Sequence, residues 1–215
     1  RNSDIAIEFY SESGTKKTVT YKKLFKNVSS VSMYLKEIGI KPGDRVSAVI
    51  SNIPEAIVLM LGCASIGAVW TSCSPDFGED AIVDRFEQVK PTVLIGIDGY
   101  IFKGKYFSVQ DKIYNISKNL PSIKHIITID FINSFHPNRL KIDSVSYSDI
   151  VSNNAESIDF APLPFDHPLY IMYSSGTTGK PKSIVHSSGG TLIQHVKELM
   201  LHLDLKEKEK IFYFT

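Results

Sequence analysis

Apolar and polar residues alternate over residues 5–10 and, after the polar stretch Ser11-Glu-Ser-Gly-Thr15, again over residues 18–21. A period of two on both sides of a turn predicts a β-hairpin. The period then lengthens: Leu24, Val28, Val31, Leu35 and Ile38 recur at helical spacing, predicting a helix capped by Thr20 and ended by Gly39. Pro42-Gly43 turns the chain into a strand over residues 45–50. Asn52 is placed to cap a second helix, with Pro54 in its first turn and Gly67 near its end. A buried strand over residues 68–72, a helix over 78–89 broken by Pro91, and a strand over 92–97 follow. A helix near residues 109–119 then leads to a strand over 125–130. Strands alternating with helices predict an α/β fold of parallel-rich sheets flanked by helices.

The second half is less regular. Residues 133–164 are mostly polar and read as a surface excursion with one short helix near 147–151. Residues 169–173 and 183–186 read as strands joined by a loop. Leu192, Val196, Leu199 and Leu203 mark the apolar face of a later helix, and residues 211–215 read as a strand. The mixed-charge run Lys206-Glu-Lys-Glu-Lys210 reads as a solvated turn without a partner. Both ends of the chain read as cuts, since it starts at Arg1 and stops within an apolar segment.

Composition narrows the classes. The 215 residues are 43% hydrophobic and 22% charged with a net charge of +1, which fits a globular protein and implies no nucleic-acid partner. The longest apolar run, residues 56–69, is interrupted by Gly62, Ser65 and Gly67 and is too short for a membrane span. Cys63 and Cys73 make neither a disulfide framework nor a zinc spacing, so a reducing, cytoplasmic setting is expected.

The candidate chemistry sits between the two later strands, in Tyr173-Ser-Ser-Gly-Thr-Thr-Gly-Lys-Pro-Lys182. Gly176 and Gly179 permit backbone angles at which successive N–H groups converge, a concave arrangement that holds an anion. Hydroxyls from Ser174, Ser175, Thr177 and Thr178 can donate to phosphate oxygens, and Lys180 and Lys182 add full charges. A Walker A loop is excluded, because Gly176 and Gly179 are too close and Pro181 stands where a magnesium-binding hydroxyl belongs. No dinucleotide fingerprint follows any strand. A flexible linker is the plainer alternative, but linkers seldom join two apolar strands.

This loop resembles the signature of the adenylate-forming superfamily, which includes acyl-CoA synthetases, luciferases and peptide-synthetase adenylation domains. Lys41-Pro-Gly-Asp-Arg-Val46, Asn52-Ile-Pro-Glu-Ala56 and Gly67-Ala68 look like successive landmarks of the same large N-terminal domain. Residues 1–215 are therefore expected to be part of that domain, with residues 133–163 matching only loosely. Two segments, Trp70-Thr-Ser-Cys-Ser-Pro-Asp-Phe-Gly78 with Asp84-Arg85-Phe86, and Val185-His-Ser-Ser-Gly-Gly-Thr-Leu-Ile-Gln-His-Val-Lys-Glu198, are similar to the acetoacetate-activating branch. Ser183, where most members have glycine, is also similar to that branch.

The resemblance implies ATP-dependent ligation of acetoacetate to CoA through an acyl-adenylate, with Mg2+ as phosphate counterion. Ser174, Ser175, Gly176, Thr177, Thr178, Gly179, Lys180 and Lys182 are the implied ATP-phosphate residues. The superfamily's later Tyr-Gly-x-Thr-Glu segment, hinge and C-terminal lysine are not found in these residues, so no catalytic residue or metal ligand is assigned. Ligases of other short acids, or a non-catalytic nucleotide-binding protein, are the alternatives.

Lys103 and Lys105 resemble the basic residues that meet the CoA 3′-phosphate, although lysines in such a segment more often form a solvated turn. His186 reads as a strand residue, and His195 and His202 are spaced too far apart to pair on a metal. Cys63 and Trp70 read as core, while Cys73, before Ser74-Pro75, is a candidate accessible thiol.

Overall fold

The computed structural model describes residues 2–133, 143–174, 179 and 181–212. Strands β1 (Ile5–Tyr10) and β2 (Lys16–Thr20) form the expected antiparallel hairpin. Helix α1 (Tyr21–Glu37) follows, and the Thr20 hydroxyl accepts the Lys23 N–H at its start. The chain continues through β3 (Arg45–Val49), α2 (Pro54–Ser65), β4 (Val69–Cys73), α3 (Glu79–Val89) and β5 (Val93–Ile97). The hairpin β6 (Gly99–Phe102) and β7 (Lys105–Ser108) precedes α4 (Gln110–Asn119) and β8 (His125–Ile129). Then come β9 (Ser144–Ser146), α5 (Tyr147–Ser152), β10 (Pro168–Tyr173), β11 (Ser183–Ser187) and α6 (Ser188–Lys197).

Seven strands form one sheet in the order β11-β10-β4-β3-β5-β8-β9. All its pairings are parallel except β10 with β11. The chain moves from β3 to β4 in one direction and from β4 to β5 in the other. With right-handed crossovers, that reversal places α2 and α3 on opposite faces. Accordingly α1 packs with α2 and α5, and α3 packs with α4. The central strands are covered on both sides: β5 is buried along its length, and Phe86, Leu59, Ile113 and Ile127 are fully enclosed.

Helices α1 and α2 approach closely because Gly62 has no side chain. A Cβ at that position would lie 2.4 Å from Val31 Cγ1. Residues 143–164 do not simply trail over the surface. β9 extends the sheet edge, α5 packs on α1, and the strap beyond them is pinned to α1 and α2. Ala155 N–H donates to Ser30, Lys36 pairs with Asp159 at 2.8 Å, and Ala161 N–H donates to the Ser65 carbonyl at 2.9 Å.

Other expectations are corrected. Asn52 does not cap α2; Ile53 holds that position, without a side-chain cap bond. A residue before proline is held extended, and Pro54 itself brings no N–H to satisfy. The β6–β7 hairpin and β9 have no strong alternating pattern and went unanticipated. The last helix gives way after Lys197 to a π-helical turn, Glu198–His202, and Leu192, Val196 and Leu203 are exposed. Lys210 is not free: its Nζ lies 2.7 Å from Glu8 Oε1, holding the Glu8 carboxyl below its usual range. Ile211 and Phe212 are not in a strand, and residues 213–215 lie outside the described residues.

The α1–α2 contact makes a signed prediction. Gly to Ala inside a helix ordinarily stabilises by up to about 1 kcal/mol. Gly62→Ala should instead destabilise, by about 1–3 kcal/mol, because the methyl overlaps Val31. Val31→Ala in the same chain should recover part of that loss. Denaturant unfolding measures both, and a stabilising Gly62→Ala would contradict the packing.

Candidate functional site

Strand β10 runs parallel to β4, with Tyr170 opposite Trp70 and Ile171 opposite Thr71. The chain then reverses, and β11 returns antiparallel along β10, pairing Tyr173 with Ser183. One step beyond that pair, Ser174 N–H donates to the Lys182 carbonyl at 3.0 Å. This bond closes the mouth of the loop, so Ser174 and Lys182 face each other across its entry and exit. Gly179 has φ 149°, a conformation that side-chain-bearing residues rarely adopt. Lys182 is exposed. Ser175, Gly176, Thr177, Thr178 and Lys180 lie outside the described residues.

Helix α3 reaches both arms of this junction. At the entry, the Arg85 guanidinium lies over the rings of Tyr173, at 5.9 Å, and Phe77, at 5.1 Å. At the exit, Gln88 Nε2 donates to the Pro181 carbonyl at 3.0 Å, and Gln88 Oε1 accepts from the Ser183 hydroxyl at 3.0 Å. The helix is itself anchored. Arg45 Nε donates to the Val89 carbonyl at 2.7 Å, and its terminal nitrogens reach the carbonyls of Gly43 and Lys90, both at 3.1 Å. A guanidinium at the carboxyl end of a helix satisfies open carbonyls and opposes the helix dipole.

Beside the loop, the carboxyl ends of β4 and β10 border an open groove lined by Ser72, Cys73, Ser74, Phe77, Arg85 and Tyr173, among others. Clefts at this end of the strands, where crossovers diverge, are the usual ligand positions in open α/β sheets. The β4–α3 connection along the groove is held from α4, where Lys112 Nζ donates to the Pro75 and Phe77 carbonyls, each at 2.6 Å. Burial pushes the Lys112 ammonium below its usual range, against the pull of Asp76 and Glu79. Burial pushes the Tyr173 phenol up to about 12, opposed by its 2.9 Å hydrogen bond with Thr71. Burial likewise pushes the Cys73 thiol up to about 12, with Arg85 opposing. Cys73, a candidate accessible thiol, is 6% exposed, and its raised thiol is not activated as a nucleophile.

The remaining candidates separate clearly. Lys103 and Lys105 are exposed in the β6–β7 hairpin and are not among the groove-lining residues. The Lys103 Nζ sits over its neighbour Phe102, and Gly104 N–H donates to Glu12 Oε1 at 3.0 Å. His186 is a strand residue, as expected, with its ring 5.1 Å from Tyr170. Trp70 and Cys63 are core, and Trp70 also borders the groove. Among the described residues no group of three His, Cys, Asp or Glu could hold a metal ion. The sequence reading missed Gln88, Lys112 and Arg45 as supports, and also His167, whose Nε2 lies 2.8 Å from the Gly67 carbonyl. Their roles depend mainly on partners 35 to 100 positions away, which periodicity does not encode.

The sequence profile of the AMP-binding enzymes matches residues 2–214. The chain belongs to the AMP-binding enzyme family. Among its relatives in that family, the acetoacetyl-coenzyme A synthetase of Rhizobium meliloti is 43% identical over 211 residues, 98% of this chain and 32% of its own length. The acetoacetyl-CoA synthetase of Macaca fascicularis is 40% identical over 207 residues, 92% of this chain and 30% of its own. The solved acetoacetyl-CoA synthetase from Streptomyces lividans superposes with a TM-score of 0.95 at 39% identity, covering 100% of this chain and 32% of that one. The chain thus spans about a third of the length of the relatives it matches. The α/β architecture of this AMP-binding enzyme chain is the one expected. No helix of the described residues is long and apolar enough to cross a membrane.

Tyr173 and Cys73 contribute to an alkaline limit, together with Cys63, Tyr147 and Tyr34, which burial also raises. Each of the first two is held neutral by the fold, so its contribution is complete below the free-group value and is lost as pH rises toward about 12. Unfolding free energy should therefore fall as pH climbs above about 9 to 10. Tyr173→Phe should cost about 1 kcal/mol at neutral pH through the lost hydrogen bond. The same substitution should make the alkaline fall shallower, measured by denaturant titration across the pH series. An unchanged alkaline slope in Tyr173→Phe would contradict the burial of this phenol.

Proposed function

We propose that the protein carrying this chain joins acetoacetate to CoA at the expense of ATP. The observation that carries the reading is that this chain, loop included, is similar along its whole length to acetoacetyl-CoA synthetases. In the first step a carboxylate oxygen of acetoacetate attacks the α-phosphorus of ATP, forming acetoacetyl-AMP and expelling pyrophosphate. In the second, the CoA sulfur attacks the acyl carbon and AMP leaves with the carboxylate oxygen.

The part assigned to this chain is electrostatic. Phosphoryl-type displacement needs in-line positioning and stabilisation of the leaving pyrophosphate rather than covalent help from protein. Ser174, Ser175, Gly176, Thr177, Thr178, Gly179, Lys180 and Lys182 are proposed to hold the β- and γ-phosphates. Their tools are N–H groups, hydroxyls and ammonium charges. The closed mouth at Ser174 and Lys182 supports this, because it ties the two ends of the loop together. Lys103 and Lys105 are proposed to meet the CoA 3′-phosphate from their exposed hairpin. Mg2+ is proposed as a counterion of the phosphates, not as an ion held by the described residues.

Two measurements test this in the full-length protein. Lys182→Ala should remove a charge-assisted contact of about 1.5–3 kcal/mol, lowering kcat/KM for ATP roughly ten- to a hundredfold. Recognition of the acid should change much less. Comparison of acetoacetate, acetate, propionate and butyrate at saturating ATP and CoA should show a large preference for acetoacetate. A pocket donating a hydrogen bond to the 3-oxo group leaves that donor unpaired with butyrate, whereas a methylene discriminates weakly. A tie, or a preference for acetate or butyrate, would assign the protein to other short-chain acids.

A further inference from the structure

Lys182 is flanked on both sides by contacts from a single side chain. Gln88, on the last turn of α3, donates from Nε2 to the carbonyl of Pro181 and accepts at Oε1 from the hydroxyl of Ser183. The same Nε2 donates to the Asp84 carbonyl, one helical turn earlier, at 2.8 Å. These partners define which way the amide faces. Two carbonyls require the NH2 end, and the hydroxyl then serves the oxygen end. Both ends of the amide are used, so a glutamate could satisfy Ser183 but not Pro181, and a leucine neither.

The consequence for Lys182 follows from strand geometry. The ladder between β10 and β11 extends past Tyr173 and Ser183 to the Ser174–Lys182 bond, so the backbone remains extended there. Side chains alternate sides on extended backbone. With Ser183 turned to α3, Lys182 is turned away from it, consistent with its exposure. Helix α3 does not drift, because Arg45 binds the carbonyls of Val89 and Lys90 just beyond Gln88. A lysine stem left to itself samples many rotamers, and holding its backbone reduces what must be ordered when it meets phosphate.

We propose that Gln88 is a positioning residue for Lys182, setting its direction through Pro181 and Ser183. The hydroxyl of Ser183 is part of the device, which gives this position a use that glycine could not supply. The proposal rests on the reading of Lys182 as a phosphate ligand, and one of its tests does not.

The experiment uses the full-length protein and MgATP as the probe. Gln88→Leu should raise KM for MgATP about three- to tenfold while KM for the acid changes less than about twofold. Ser183→Ala should move the same parameter in the same direction. In a Lys182→Ala background, Gln88→Leu should add less than about twofold, because its effect passes through that lysine. A KM for MgATP unmoved by Gln88→Leu, a parallel rise for the acid, or full multiplication with Lys182→Ala would overturn the proposal. Hydrogen exchange supplies the readout that is independent of turnover. The Ser174 amide, bonded to the Lys182 carbonyl, should exchange roughly three- to tenfold faster in Gln88→Leu, with β3 and β5 amides unchanged. An unmoved Ser174 amide overturns the device whether or not the protein binds ATP. A faster Ser174 amide in a protein that does not activate acids would sink the functional reading and leave the placement of Lys182 standing.

Discussion

A parallel strand cannot be followed at once by another parallel neighbour, since that pairing needs a crossover of a dozen or more residues. Strand β10 lies parallel to β4, and only a short connection separates it from β11. The returning strand must therefore run antiparallel and take the outer position, which is where β11 is found. The Ser174 N–H to Lys182 carbonyl bond is the last rung of that reversal. It brings together Ser174 and Lys182, the two ends of a segment rich in glycine, hydroxyls and lysine, at the carboxyl end of β10, beside the cleft. The function proposed for this chain depends on that rung, because a donor frame that must be assembled around the ligand costs ordering free energy at each binding event.

The rest of the fold serves to hold the junction in place. Reversal of the crossover direction at β3 and β4 sends α3 to the face opposite α2. From there α3 reaches both arms of the hairpin, with Arg85 against Tyr173 and Gln88 against Pro181 and Ser183. Arg45 ties the end of α3 to the start of β3, and Lys112 ties the loop before α3 to α4. These bonds join elements that are distant in the chain, so they transmit the rigidity of the buried sheet to an exposed edge. The core itself is ordinary branched and aromatic packing, and its fully enclosed residues Ile95, Ile127, Phe86 and Leu59 come from both faces and the middle.

Most of this frame was legible from periodicity. The helix begun by Thr20 and the buried runs of β3, β5 and β8 carry the period of their element plainly. Where local signals were weak or tertiary contacts decided, the reading failed. Asn52 looks like a cap, but Pro54 moves the helix start to Ile53. β9 is three residues long and exists because β8 offers an edge. Cys73 stands beside a turn and was a candidate accessible thiol, yet at the end of the buried strand β4 it is only 6% exposed. For the candidate site, the glycine and lysine positions of the loop were visible in the sequence. The supports Gln88, Arg45 and Lys112 were not, because nothing local marks a side chain whose partner lies far along the chain.

The junction is proposed to hold nucleotide phosphates while a carboxylate attacks the α-phosphorus. Oxygen transfer tests it most directly. The full-length protein would be given acetoacetate labelled with heavy oxygen in its carboxylate, together with ATP and CoA, and the products read by mass spectrometry. Attack at the α-phosphorus predicts a single labelled oxygen in AMP and none in pyrophosphate. Label appearing in inorganic phosphate beside ADP, or no transfer of label at all, would contradict the account.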